Sequence, residues 1–231
     1  MRKAIEDYNM IQQGDRIAIG VSGGKDSLAL LYCMKELQKF YPKRFELVAI
    51  TLSLGNEGFD TDSLIEIYNR LDIQYHIEQT QISKIVFDVR KEKNPCSLCS
   101  NMKRGAVHNT AKKLGCNKVA FGHHKDDVVE TFLLALLYEG RIHTFSPVTY
   151  LDRKDITLIR PLIYINEDMI QTYIENANIM PIPSGCREDG RTKRSDIKQV
   201  LSTLMKENKY IKDNIFGAIQ RSKVNGWHPP L

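Results

Sequence analysis

The sequence predicts an α/β protein: a parallel sheet covered by helices on both faces, followed by a helical C-terminal appendage. Three observations carry that expectation. Short β-branched runs alternate with longer helical ones, and such alternation implies right-handed crossovers between parallel strands. The runs 17–21 and 48–52 are almost entirely apolar, as strands buried on both faces must be. After Pro161 only helical patterns remain.

In order, residues 16–21 read as a strand, 27–38 as a helix and 46–52 as a strand. A helix over 63–71, a short strand over 74–77 and a helix over 99–114 follow. Residues 118–121 then read as a strand, 126–138 as a helix and 156–159 as a final strand. Asn166 suits an N-cap, with Glu167 and Asp168 complementing the first turn of a helix that runs to about residue 176. Pro181 and Pro183 interrupt the pattern before two more helices over 195–208 and 210–221. The expected division is a sheet domain over 1–165 and a helical region over 166–231.

The composition fits this reading. With 231 residues, 42% hydrophobic and 26% charged, the chain is neither disordered nor low-complexity. A chain this long buries about 70% of the surface its unfolded form exposes, enough for a core without staples. Its longest apolar run, around residues 132–137, falls far short of the roughly 20 residues of a membrane helix. Residues 1–7 lack the apolar stretch of a signal peptide, so the expected location is the cytoplasm, with no membrane partner. The 33 Lys and Arg exceed the 28 Asp and Glu by a net charge of +5, which permits a nucleic-acid or nucleotide partner without requiring one. Five cysteines, an odd number, argue against a disulfide framework and for thiol or metal chemistry.

Directly after the first strand stands Ser22-Gly23-Gly24-Lys25-Asp26-Ser27, opening a helix. This is an anion cradle. The glycines let backbone N–H groups approach phosphate oxygens, the helix N-terminus adds partial positive charge, and Lys25 adds a full one. Ser22 and Ser27 can donate hydroxyls, and Asp26 can hold magnesium. A tight turn alone would explain the glycines but not Lys25 and Asp26 together. The spacing is neither that of the G-x-x-x-x-G-K-[ST] loop nor that of the dinucleotide fingerprint. A second box, Gly122-His123-His124-Lys125-Asp126-Asp127-Val128-Val129-Glu130-Thr131, follows the strand at 118–121. Ligands bind at such strand ends, and Asp126, Asp127 and Glu130 share one helical face suited to magnesium. The bland alternative is an acidic first turn that serves its own helix dipole.

Cys96 and Cys99 form a C-x-x-C ahead of a basic amphipathic helix beginning at Ser100. Such a pair can chelate a metal or cluster or cycle as a dithiol. One further isolated loop cysteine, Cys186, would make three thiolates. A closed structural zinc site wants four ligands; three suit a [4Fe-4S] cluster with one iron open. Cys33 lies in an apolar helical stripe and reads as packing, and Cys116, at a helix end, is left unassigned.

SGGKDS after the first strand resembles the PP-loop ATP pyrophosphatase superfamily (the adenine nucleotide alpha hydrolase-like domains), which implies cleavage of ATP between its α and β phosphates. PCSLCSNMKRG, the GHHKDD box and the late lone cysteine together resemble the tRNA 2-thiocytidine biosynthesis protein family (TtcA). The opening segment 3–15 and Arg160-Pro161-Leu162 extend that likeness over nearly the whole chain. Pro183 stands where the family commonly has another cysteine, but the ligand role falls to the later one, Cys186.

The resemblance implies an ATP-dependent tRNA sulfurtransferase that adenylates the C2 oxygen of cytidine 32 and replaces it with sulfur. It implies Lys25, Asp26 and Asp127 as catalytic residues and Ser22, Gly23, Gly24, Ser27 and Gly122 as further ATP contacts. His123 and His124 are weaker candidates beside the nucleotide. Cys96, Cys99 and Cys186 would hold a [4Fe-4S] cluster, with ATP and Mg2+ completing the cofactors. Lys103, Arg104, Arg187 and Arg194 are the expected contacts to tRNA phosphates. A sulfur donor such as a cysteine desulfurase and a second copy of the chain are the remaining expected partners. The rival readings are thiolation of another tRNA base, and a nucleotide-binding iron–sulfur or zinc redox sensor without turnover.

Overall fold

The computed structural model describes residues 1–55, 59–90, 95–183, 193–222 and 224–227. Cys186 and Arg187 lie outside the described residues. After a short helix α1 (Arg2–Asp7), the chain alternates β1 (Asp15–Gly20), α2 (Lys25–Gln38), β2 (Phe45–Ser53), α3 (Thr61–Arg70) and β3 (Gln74–Gln79). A π-helical stretch (Lys84–Arg90) leads into α4 (Pro95–Lys113), β4 (Lys118–Ala120) and α5 (Lys125–Glu139). Strands β5 (Val148–Leu151) and β6 (Ile156–Ile159) precede α6 (Glu167–Asn176), α7 (Lys193–Glu207) and α8 (Ile211–Arg221).

The sheet order is β3-β2-β1-β4-β6-β5. Strands β1, β2, β3, β4 and β6 run parallel, and β5 pairs antiparallel with β6. The expected all-parallel sheet therefore carries one antiparallel edge strand, which the reading of residues 16–159 lacks. With four residues, one of them the exposed Tyr150, β5 is too short and too mixed to show a period.

Alternate residues of the central strands feed two cores. Ile17, Ile19, Leu47 and Ala49 face α2, α5 and the C-terminal helices, while Ala18, Val48 and Ile50 face Val107 and Ala111 of α4. The C-terminal helical region joins the first of these cores through Ile170, Ile174, Ile197, Leu201, Phe216, Ile219 and the fully buried Trp227. That packing brings the basic faces of α7 and α8 against α5.

Another departure is where α4 begins. Its first residue is Pro95, so Cys96 and Cys99 lie within the helix rather than ahead of it. Proline fits a first helical turn because its missing N–H has no intrahelical partner to lose. The two thiols therefore stand one turn apart on one face.

Candidate nucleotide and cysteine site

The sheet order reverses between β1 and β4, and the loops after both strands meet there. The loop after β1 is tied to itself through its hydroxyls. Ser22 N–H donates to Ser27 Oγ at 3.1 Å, Gly24 N–H to Ser22 Oγ at 3.4 Å, and Ser27 Oγ–H to the Gly24 carbonyl at 2.9 Å. Gly23 has φ of +82°, and a Cβ there would lie 3.1 Å from Cβ of Ile182. Gly122 lets the second loop approach α2: a Cβ would lie 2.8 Å from the Asp26 carbonyl oxygen. Both glycines are demanded by close backbone approach, not by looseness.

A cavity of about 400 Å3 opens between these loops and α4. Ser22, Gly24, Asp26, Ser27, Gly122, His123 and Asp127 line one side. Ser100, Lys103, Arg104 and Val107 of α4 line the other, starting one residue after Cys99. Ile50, Leu52, Leu54, Phe59 and Phe121 supply an apolar wall of the kind a nucleobase needs. Cys96 is exposed and Cys99 buried. Cys99 packs with Ile82 and Val86, one residue before the part of α4 that lines the cavity.

The charged groups form a closed ring. Lys25 Nζ lies 2.9 Å from Asp26 Oδ1 and 2.9 Å from Glu167 Oε1. Glu167 Oε2 meets Lys198 Nζ at 3.0 Å, and Lys198 Nζ faces Glu130 Oε1 at 3.7 Å. Arg194 Nε lies 3.6 Å from Glu130 Oε2, and its Nη1 donates to Asp127 Oδ1 at 2.7 Å. His124 Nε2 closes the circuit, 3.4 Å from Asp127 Oδ2 and 3.8 Å from Asp26 Oδ1. Asp126 stands behind the ring, accepting from the Glu167 N–H at 2.7 Å and Lys212 Nζ at 2.6 Å.

Several groups in and beside this network are shifted. Burial alone would lower the Lys25 pKa, but its hydrogen bonds to Asp26 and Glu167 raise it. Burial would raise Glu167, yet the ammonium groups of Lys25 and Lys198 hold it at about 2. Glu130 is pushed by burial up to about 7, against the pull of Lys198 and Arg194. His123 is lowered to about 4 by burial and then by the neighbouring Arg160 guanidinium, so it lines the cavity as a neutral ring.

Sequence reasoning missed Glu167, Lys198 and Lys212 as parts of the site. The four-residue spacing of Arg194 and Lys198 was the available signal, since it sets both on one helical face. Lys103 and Arg104 stand on the cavity wall, whereas Arg194 pairs with the carboxylates of α5. Cys33 and Cys116 pack in the fold, and burial raises both thiols.

The PP-loop domain family matches residues 1–204. A tRNA-cytidine(32) 2-sulfurtransferase of Syntrophotalea carbinolica is 36% identical over 94% of this chain and 85% of its own length. The chain belongs to the PP-loop family, among the tRNA-cytidine(32) 2-sulfurtransferases. A second such relative, from Teredinibacter turnerae, is 39% identical over 95% of this chain and 73% of its own. Among solved structures, the U34-tRNA thiolase NcsA of Methanococcus maripaludis with its [4Fe-4S] cluster superposes with a TM-score of 0.78. It is 25% identical, over 96% of this chain and 76% of that one. The Ser22–Ser27 turn and the Gly122 box both lie within the matched residues. The two thiols of α4 fit a sulfur-ligated cluster as soft donors one turn apart on one helix, just ahead of the residues that line the cavity.

Proposed function

We propose that this PP-loop protein is an ATP-dependent tRNA sulfurtransferase that converts cytidine 32 of tRNA to 2-thiocytidine. The observation that carries the reading is the shared cavity, in which the phosphate loop, the Gly122 box and the wall just behind Cys99 face one space. The reaction needs that arrangement, because an adenylated base is short-lived and sulfur must already be at hand.

The backbone N–H groups of Gly23 and Gly24, with Lys25 and the start of α2, would receive the triphosphate. Asp26 and Asp127 are the carboxylates proposed for Mg2+, with Ser22, Ser27 and Gly122 completing the ATP contacts. The base oxygen attacks the α phosphorus, pyrophosphate leaves, and Lys25 offsets the charge that develops on it. Neutral His123 offers a hydrogen bond within the cavity, and the apolar wall excludes water from the adenylate.

Cys96, Cys99 and Cys186 are proposed to hold a [4Fe-4S] cluster, which when bound supplies an open iron for the incoming sulfur. Both flanks of the segment carrying Cys186 reach the site, since Ile182 N–H donates to the Gly23 carbonyl at 2.9 Å and Arg194 binds Asp127. Lys103 and Arg104, on the cavity wall, are proposed to meet tRNA phosphates, as is Arg187. A cysteine desulfurase as sulfur donor, a homodimeric assembly and a cytoplasmic setting complete the proposal.

The test is anaerobic purification with iron and sulfide analysis, followed by nucleoside analysis of tRNA incubated with ATP and a sulfur source. Iron near four per chain and ATP-dependent 2-thiocytidine are expected, with thiolation abolished in Cys96→Ala, Cys99→Ala and Cys186→Ala. Formation of 2-thiouridine would move the target base. AMP release that ignores tRNA, or a fully active zinc protein, would overturn the reading.

A further inference from the structure

We propose that Arg194, whose guanidinium meets the cavity-lining Asp127, is a ligand of the β and γ phosphates of Mg–ATP. The inference rests on the reading that the cavity binds Mg–ATP, and it adds a cation from α7 to a site otherwise built from the loops after β1 and β4.

Both oxygens of Asp127 already have partners. Oδ2 accepts the His124 N–H at 3.0 Å, and Oδ1 accepts from Arg194 Nη1 at 2.7 Å. A magnesium ion at Asp127 would have to share Oδ1 with a guanidinium, and two cations on one oxygen repel. A guanidinium on a long side chain can turn from that oxygen to a phosphate oxygen beside it.

The surroundings of Arg194 suit that exchange. Its Nη2 donates to Thr131 Oγ1 at 3.2 Å, and its Nε faces Glu130 at 3.6 Å, so α5 retains a hold on the group when Asp127 is given up. A guanidinium carries five N–H donors in a planar fork, and those not facing α5 match phosphate oxygens. Its side chain is 40% exposed, and its partner Asp127 lines the cavity.

The opposite side of the ring repeats the design. Lys25, the cation assigned to phosphate, is likewise paired with a carboxylate, Glu167. Glu167 has a second cation in Lys198 at 3.0 Å, and Asp126 has Lys212 at 2.6 Å. No carboxylate of the ring is left bare when Lys25 and Arg194 turn to the nucleotide: Glu167 and Glu130 keep Lys198, and Asp26 and Asp127 take the metal. The arrangement reads as an exchange of partners, with α7 delivering the second phosphate cation.

Isothermal titration of the full-length protein with magnesium and a non-hydrolysable ATP analogue, and separately with AMP, tests this. Loss of a charge-assisted pair to phosphate predicts roughly 10- to 100-fold weaker analogue binding in Arg194→Ala, with AMP binding changed less than about twofold. Arg194→Lys should recover part of the loss. Thermal melting of each variant separates a folding defect from a ligand defect, and the lysine variant stands in if the alanine protein does not fold.

Analogue affinity equal to the parent's in both variants would overturn the proposal, as would an equal loss for AMP. Unchanged nucleotide binding with weakened tRNA binding in a filter assay would also overturn it and return Arg194 to RNA. Failure of the parent protein to bind the analogue would instead sink the ATP reading itself.

Discussion

Glu130 is 2% exposed, and its two cations stand at 3.6 and 3.7 Å, beyond hydrogen-bond distance. Its carboxyl therefore holds a proton up to about pH 7, against 4.5 ordinarily. Because the folded chain binds that proton more tightly than the unfolded one, the stability it contributes is full below pH 4.5 and is lost as pH rises through about 7. Glu130→Gln should thus gain on the parent in melting temperature between pH 5 and pH 8; a constant difference would place Glu130 outside this account. Lys25 gives a second expectation. Lys25→Ala removes the cation proposed to meet developing pyrophosphate charge and should lower thiolation by about 100- to 1,000-fold, with tRNA affinity kept. A glycine gives the third. Gly122→Ala would press a methyl to 2.8 Å from the Asp26 carbonyl, and ATP binding should fail before folding does, read by titration beside circular dichroism. These residue types were legible in the sequence; the company they keep was not. Glu167 read as an ordinary helix-start acid because its partners Lys25 and Lys198 lie 142 and 31 positions away.

Among the elements, β1 and β4 carry the site at one end and a buried anchor at the other. Lys118 Nζ meets Asp15 Oδ2 at 2.7 Å and the Met10 carbonyl at 2.8 Å, while Asp15 also accepts from the Gln12 N–H and Asn117 Nδ2. Lys118→Ala would leave a carboxylate that is 4% exposed without its cation, a loss of about 3–5 kcal/mol. Urea unfolding measures it, and a loss near that of a surface lysine would refute the anchoring role. Strands β1, β2 and β4 were readable because apolar runs buried on both faces need no tertiary context. The start of α4 was not: the helical pattern was read only from residue 99, although Pro95 suits a first helical position.

The whole molecule joins two cores across one sheet, and its C-terminal helices close the site through ion pairs to α5 and α6. Nucleotide that exchanges those partners binds only the folded chain. At about 100 times its dissociation constant it should add roughly 2.7 kcal/mol of stability, and so raise the melting temperature by about 5–10 °C. Calorimetry with the magnesium-bound analogue reads this directly, and no shift at saturation would show that the nucleotide does not bind the native state.

What could be read from the chain alone was whatever sits within one short window: the buried strands, the glycine-rich phosphate loop, the second acidic box and the paired thiols of Cys96 and Cys99. Each depends on neighbouring residues and on a local period, which a linear sequence displays. The folded arrangement alone set the ring from Asp26 through Glu167, Lys198 and Glu130 to Arg194 and Asp127, and the meeting of α4 with the phosphate loop. Those contacts follow from the order in which parallel strands cross over, and electrostatic partners chosen across that distance leave no periodic trace in the sequence.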